Sequence, residues 1–331
     1  MRNLRYGLMA VVVVGWTWHA FPLGGAQAEA SALGADAAVN VFAHDEAGRP
    51  VTNARVRCGF WLVSEKRSPV VFGRTDETGH FLAKARCNVD VLAFVRCEGF
   101  YWSSVRRRFE DSASDPKVVD GKWQPYGAEL PVRMRRIGNP TSLVFHSDMR
   151  SIGLPVTNIW VGFDMKAGSL VKPFGAGSVP DLEFFFEWDG KVRRQYAGAS
   201  LRVRFPGRLS GGYWFKRERS SEYEFAMSAD TNAAYQSEFS FWTRKTANGW
   251  CGQAFGTDRS LVARTRCQTA EDGTLLSATY GQIMSCTFGW GSGGQGWVRL
   301  GYEQNPTPND TNLESDRVIR AMRDAESKMT W

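Results

Sequence analysis

With 331 residues, 43% of them apolar and 23% charged, the chain has material for about two packed cores, and wholesale disorder is excluded. The formal charge of +7 is dispersed, with no concentrated basic stripe and no nucleic-acid motif, so nucleic acid is not the expected partner. Aromatic residues make up 13% and glycine contributes 34 positions, a mixture suited to many short strands joined by tight turns.

The N-terminus reads as a secretory signal peptide over residues 1–28. Arg2 and Arg5 form a positive start, Gly7 to Trp18 is apolar, and Ala26-Gln27-Ala28 offers small residues for cleavage before Glu29. That apolar run is too short for an ordinary membrane span, and no later run reaches about 18 apolar residues. The expectation is an exported protein, periplasmic or extracellular, with no membrane span in the mature chain. Six cysteines, Cys58, Cys87, Cys97, Cys251, Cys267 and Cys286, fit structural disulfides in an oxidising compartment. Six allow 15 connectivities, and the sequence does not choose among them. No C-x-x-C occurs, so a zinc finger is not supported.

After a linker at residues 29–37, Ala38 to Ala43 alternates as a strand, and Asp45 to Pro50 reads as a turn. Ala54 to Trp61 alternates again, with Ala54, Val56 and Cys58 on one face. Thr75 to Gly79 is a second turn, Val89 to Cys97 a β-branched apolar run, and Ala128 to Arg136 a last strand. Strands at this spacing, without 3.6-residue periodicity between them, predict an antiparallel sandwich over 38–136.

Within that span, Gly48-x-Pro50-Val51-x-x-Ala54-x-Val56, Thr75-Asp76-x-x-Gly79-x-Phe81 and Gly99-Phe100-Tyr101 resemble the carboxypeptidase regulatory-like domain, a transthyretin-like β-sandwich. The resemblance implies an accessory binding or supporting module rather than a catalyst. Two enzymatic relatives of similar architecture do not fit. The chain lacks the Tyr-Arg-Gly-Ser ending of hydroxyisourate hydrolases. Beyond the leader its histidines are His44, His80 and His146, without the H-x-H pair of intradiol dioxygenases.

The pattern resets at Gly138-Asn139-Pro140. Aromatic strands follow at Ile159 to Phe163, Leu182 to Trp188, Leu201 to Phe205, Tyr213 to Phe215, Tyr223 to Phe225, Tyr235 to Trp242 and Gly296 to Tyr302. They predict a larger, jelly-roll-like sandwich over 138–312. Residues 313–331 form a helical tail, with Val318, Ile319, Met322 and Ala325 on one face. Gly162-Phe163-Asp164, Lys172-Pro173-Phe174-Gly175 and Asn305 to Glu314 resemble segments of exported bacterial proteins carrying the same N-terminal module. That likeness implies no particular activity.

Several chemistries can be weighed from the letters. Gly289 to Gly294 satisfies G-x-G-x-x-G, but a strand follows where a dinucleotide site needs a helix N-terminus, so a hairpin loop is expected. No G-x-S-x-G and no H-E-x-x-H occurs, and His146 with Asp148 is the nearest approach to a serine triad. Asp181 with Glu183, and Glu187 with Asp189, pair on strand faces; surface acids explain them more simply than a glycosidase cleft. Asp310, Asn312, Glu314 and Asp316 alternate as oxygen ligands for Ca²⁺ would, the alternative being a polar turn that caps the terminal helix. Sugar rings stack on exposed aromatics, which makes Trp188, Asp189, Tyr213, Trp214, Trp242 and Trp290 the candidate ligand-binding set. Trp160, Phe163, Phe184 and Phe186 are assigned to the core.

The expectation is therefore an all-β protein of two β-sandwich domains with a short C-terminal helix. It is read as a non-catalytic cell-envelope scaffold or adhesion module whose partner is a glycan or an envelope protein, with Ca²⁺ the sole cofactor considered. Carbohydrate binding through exposed Trp and Tyr is the alternative, and a secreted hydrolase stands third.

Overall fold

The structure, a computed structural model, describes residues 29–30, 32–63, 68–111, 117–193, 196–246, 249–291 and 293–327. The signal-peptide reading lies outside the described residues. The fold is all-β with a short C-terminal helix, as the composition predicts.

Nine strands build the first half: β1 (Ala35–His44), β2 (Arg55–Phe60), β3 (Val70–Arg74), β4 (His80–Cys87), β5 (Asp90–Arg96), β6 (Ser103–Arg108), β7 (Val118–Val119), β8 (Lys122–Trp123) and β9 (Ala128–Arg133). One sheet runs β4-β1-β8-β7 with β9 also on β1, and the other runs β3-β2-β5-β6. Strand alternation turns Val56, Cys58 and Phe60 of β2 inward with Val91, Ala93 and Val95 of β5. There they meet Val39, Val41 and Ala43 of β1 and Leu130 and Val132 of β9. Trp123 is fully buried, and its indole N–H donates to the Cys87 carbonyl at 3.0 Å. The sandwich departs from the antiparallel expectation at β1, which pairs antiparallel with β4 but parallel with β9. It also begins three residues earlier than the alternation suggests, at Ala35.

The second half contains β10 (Val144–His146), β11 (Ile152–Gly153), β12 (Trp160–Asp164), β13 (Ser169–Leu170), β14 (Leu182–Arg193), β15 (Tyr196–Arg204), β16 (Gly211–Lys216), β17 (Glu238–Thr246), β18 (Gly249–Gln253), β19 (Arg259–Thr269), β20 (Leu275–Trp290) and β21 (Gly296–Gln304). They form two six-stranded sheets, β13-β12-β14-β15-β17-β18 and β10-β21-β20-β19-β16 with β11 on β21. Phe163, Phe184, Phe186, Leu201 and Phe241 from the first of these pack against Leu261, Ile283, Val298, Leu300 and Tyr302 from the second. This is the two-layer arrangement expected, although within each sheet the strands follow one another mostly in sequence order. Of the glycine run expected to form a hairpin loop, Ser292 lies outside the described residues; its neighbours fall at the β20–β21 hairpin, where Trp290 pairs with Gly296.

A polar pin crosses this second core. β19 is irregular at Arg266, whose φ is +52°, and the side chain reaches the opposite sheet. Its Nε and Nη2 donate to the two oxygens of Asp181 at 2.8 Å each, and Nη2 also donates to Asp164 at 2.7 Å. The two carboxylates are buried and each accepts backbone N–H bonds as well, Asp181 from Met165 and Asp164 from Ala167, Ser178 and Val179. Such complete pairing is the condition for keeping charge inside a core.

The halves meet through a third apolar cluster. Tyr101, Tyr223 and Met322 are its buried members, and Trp102, Ile137, Phe225 and Ile319 pack against them. Tyr223 to Phe225 reads as a strand in the sequence, but here it is the connector that docks on the first sandwich. Tyr223 stacks on Tyr101 with ring centroids 5.1 Å apart. Arg135 donates to the carbonyls of Tyr223 and Phe225 at 2.8 and 2.6 Å. The helix Asp316–Glu326 closes this joint with Met322 buried and Val318 and Ile319 packed beside it, the face its periodicity marks.

The disulfide expectation is not met, since all six cysteines are free thiols in this structure. Cys286 faces the second core and Cys267 the apolar cluster on the far side of the same sheet, while Cys251 lies exposed on β18. These three side chains occupy different environments, so strand placement keeps them apart.

Candidate functional site

The outer face of the β14-β15-β17-β18 sheet brings two of the candidate sugar-binding residues together. Cross-strand register places Glu187, Ser200, Trp242 and Gln253 in one row, and Asp189, Gly198, Arg244 and Cys251 in the next. Alternation points all of them away from the core. Gly198 carries no side chain between Asp189 and Arg244, which leaves a depression of about 210 Å³ bordered by Trp242, Glu187, Asp189, Ser200 and Arg244. Trp242 is 44% exposed. Ser200 donates to Glu187 at 3.0 Å, fixing that carboxylate on the rim. The site therefore combines an aromatic plate, two carboxylates, a hydroxyl and a guanidinium, the groups that hold a polyhydroxylated ring by stacking and hydrogen bonding.

The other members of the set lie elsewhere. Trp214 packs edge-on against Phe239 and Phe255, at 5.4 and 5.0 Å between centroids, beneath the Arg259 guanidinium. Tyr213 accepts from the Asp230 N–H at 2.9 Å and meets Tyr235 edge-on. Trp188 and Trp290 are half-buried against the second core. Gly294, with φ +79°, sits directly over the Trp188 ring. Trp160, assigned to the core from sequence, instead lies half-buried on the outer face, with the guanidiniums of Arg204 and Arg202 at 4.0 and 5.3 Å from its ring centre.

The oxygen-rich segment before the helix is engaged within the protein. Asp310 accepts from the Asn312 N–H, Asn312 from the Glu314 N–H, and Asp316 from Arg320. Glu314 is buried and accepts from the Tyr101 hydroxyl and from the Gly138 and Asn139 N–H groups, at 2.8, 2.8 and 2.6 Å. Among the described residues no group of three or more His, Cys, Asp or Glu stands ready to hold a metal ion. His44 and His80 both lie against Phe42, and His146 stacks on Tyr302 at 4.7 Å. Burial lowers the His146 pKa. Ser285 donates directly to Asp148 at 2.7 Å, which differs from the serine–imidazole–carboxylate order of a triad.

Sequence reading missed a second concavity, which follows the joint between the halves. It measures about 700 Å³, and the outer face of β2 and β5 and the C-terminal helix line it. A further cavity of about 430 Å³ shares Arg96 and Trp102 with it. Its signal in the sequence is the alternation of arginine with apolar residues in Arg55-Val56-Arg57 and of Phe94 with Arg96, a basic and aromatic outer face.

No protein-family model matches the chain, and no curated protein matches it. Three solved structures show limited likeness. The 3-chlorocatechol 1,2-dioxygenase of Rhodococcus opacus 1CP is 11% identical, over 31% of this chain and 61% of that one, with a TM-score of 0.26. Catechol 1,2-dioxygenase of Acinetobacter sp. ADP1 is 12% identical over 32% of this chain and 54% of that one, at 0.23. The shaft pilin SpaA of Lactobacillus rhamnosus GG is 9% identical over 85% and 95%, at 0.21. The chain thus spans less than two thirds of either dioxygenase, and likeness at this level carries no conclusion about this chain.

Proposed function

We propose that this is an exported, non-catalytic binding protein of the cell envelope, and that it holds carbohydrate on the Trp242 shelf. The observation that carries the reading is the exposed Trp242 ring standing in cross-strand register with Ser200 and Glu187, beside Asp189 and Arg244. An exposed aromatic plate ringed by hydrogen-bonding groups favours a sugar ring over an apolar ligand. Glycosidic cleavage needs two carboxylates on opposite sides of the scissile bond. Glu187 and Asp189 stand side by side on β14; their partners on β15 are Ser200 and Gly198, with Trp242 and Arg244 one strand beyond. Among the described residues no carboxylate stands across the depression from them, which favours binding over turnover. Export rests on the leader-like N-terminus. A regulatory-like identity for the first sandwich rests on the turn and strand motifs of 38–136.

A glycan array probed with the purified protein, with and without Ca²⁺, tests the reading. Neutral glycans are expected to bind, and Trp242→Ala to weaken them at least tenfold, while Trp214→Phe leaves them unchanged. If no glycan is retained by folded protein, or if Trp242→Ala changes nothing, the shelf is not a sugar site. Binding that requires Ca²⁺ would instead return the Asp310, Asn312, Glu314 and Asp316 segment to consideration.

A further inference from the structure

The outer face of the β3-β2-β5-β6 sheet carries an unusual cross-strand arrangement. Arg55 pairs with Arg74 on one side and with Arg96 on the other, so three guanidinium-bearing residues lie abreast on three neighbouring strands. Like charges directly opposite one another destabilise a sheet. One row further on, Arg57 stands between Phe72 and Phe94, and Phe72 is 52% exposed. Beyond that row, Val70 and Leu92 flank Gly59. The face thus grades from cationic to aromatic to apolar.

Among the described residues, Arg55, Arg57 and Arg74 meet no carboxylate in an ion pair. Arg74 is held in place by donating to the backbone and side-chain oxygens of Asn53, at 3.0 and 3.2 Å. The Arg96 guanidinium lies 3.4 Å from the centre of the Trp102 ring. Burial lowers the Arg96 pKa, and repulsion from Arg55 and Arg57 adds to this against the opposing pull of Glu326 and Glu222. Arg323 projects into the same concavity from the helix, and Arg219 borders its continuation. Six arginines line the two cavities, against four acids: Glu98, Glu222, Glu224 and Glu326. Glu224 is already paired with Arg217 at 2.7 Å.

We propose that this groove binds an acidic polysaccharide, a chain of uronic-acid rings whose carboxylates pair with Arg55, Arg74 and Arg57 while ring faces rest on Phe72, Phe94 and the Trp102 edge. Guanidinium recognises carboxylate with paired, directional hydrogen bonds. The backbone sets Arg74 and Arg55 about 4.8 Å apart across strands and Arg55 and Arg57 about 6.8 Å apart along β2, so successive anions of a chain can each meet one. The ligand-facing side chains stand on the face of the sheet, with β3, which carries Phe72 and Arg74, as its edge strand. An extended peptide lying across that face would find none of the main-chain hydrogen bonds that strand addition supplies, whereas a sugar ring needs none. The site lies on the other sandwich from the Trp242 shelf and does not depend on it.

Titration calorimetry of the full chain with a decameric oligogalacturonate tests the proposal, with a neutral cello-oligosaccharide and a poly-L-glutamate of similar length as comparisons. The oligogalacturonate is expected to bind, and to weaken steeply as salt is raised. The double variant Arg55→Gln/Arg74→Gln should weaken it at least tenfold with a thermal midpoint no lower than that of the wild type, since it relieves the repulsion within the row. Phe72→Ala should weaken it several-fold, and Trp242→Ala not at all. Poly-L-glutamate binding as tightly as the oligogalacturonate would overturn the glycan assignment in favour of an acidic peptide. No uronate binding, or binding indifferent to Arg55, Arg74 and Phe72, would overturn the site itself. Uronate binding lost on Trp242→Ala but kept in the arginine variant would place the ligand on the shelf instead.

Discussion

The Tyr101 hydroxyl donates a 2.8 Å hydrogen bond to Oε1 of Glu314, across 213 positions of sequence. Tyr101 lies just before β6 of the first sandwich, and Glu314 just before the C-terminal helix. The same carboxylate takes the N–H groups of Gly138 and Asn139, where the chain passes from one sandwich to the other. Glu314 thereby adds a side-chain tie to three segments that meet through the isolated bridges Phe100–Arg136 and Thr141–Ser315 and not through an extended sheet. Burial first, and then the hydrogen bond to Glu314, raises the Tyr101 pKa far above its ordinary value.

This contact makes Tyr101→Phe a clean test of the joint. Removing one hydrogen bond to a buried carboxylate costs about 2 kcal/mol, and Glu314→Ala, which strands three donors, costs about 3 kcal/mol or more. Urea unfolding should show both losses, with the larger for Glu314→Ala. Equal stability of Tyr101→Phe and wild type would show that this hydrogen bond adds nothing to the joint, leaving it to the apolar cluster and to the Arg135 and Glu314 backbone contacts.

The pin at Arg266 predicts an acid-sensitive second core. Burial tends to raise the Asp164 carboxyl, but the N–H groups of Ser178, Ala167 and Val179, together with Arg266, outweigh it and hold the pKa at about 2. A carboxyl with a folded pKa below its unfolded value of 3.8 stabilises the fold fully above the unfolded pKa. That stability is lost as pH falls through the folded one. The contribution is on the order of 2 kcal/mol. Unfolding free energy measured between pH 5 and pH 2 should decline, and Asp164→Asn should be less stable at pH 5 with a shallower decline. A parallel decline in the variant would assign the acid sensitivity to other groups.

Thiol chemistry should sort the cysteines by burial. Cys58, Cys87 and Cys286 are buried, and burial pushes each thiol up to about 12, where thiolate is scarce at neutral pH. Cys251 is exposed on the edge strand β18. Mass spectrometry after brief iodoacetamide treatment should find Cys251 modified first, and the three buried thiols modified only in denaturant. Protection of Cys251 in the native, unreduced protein, relieved by a reductant, would mean that it is oxidised there.

Much of the first sandwich is legible in the sequence because strand alternation is a local property. Val56 and Cys58 turn inward for the same reason that Arg55 and Arg57 turn outward. The helix over Asp316–Glu326 is equally plain, since its apolar residues recur on one face. The Trp242 shelf is half legible. Trp242 and Asp189 can be named as candidates, but Trp214 is as aromatic as Trp242 and differs in facing the interior.

What only the tertiary structure decides is which residues share a place. Glu314 looks like a cation ligand in a linear reading because its neighbours are oxygen-bearing. Folding gives its carboxylate to Tyr101 and to the backbone at 138–139. The cysteines suggest pairs until the two faces of one sheet separate Cys267 from Cys286. Tyr223 to Phe225 looks like a strand because aromatic residues favour strands, yet it serves as the packing surface of a joint. The row Arg74, Arg55, Arg96 exists only through register, since 22 positions separate Arg74 from Arg96 and β2 alone brings them abreast. Composition and periodicity determine the class of fold, being sums over neighbours in sequence. Sites depend on distances between residues remote in sequence, and those are fixed by strand pairing and by the packing of one sheet on another.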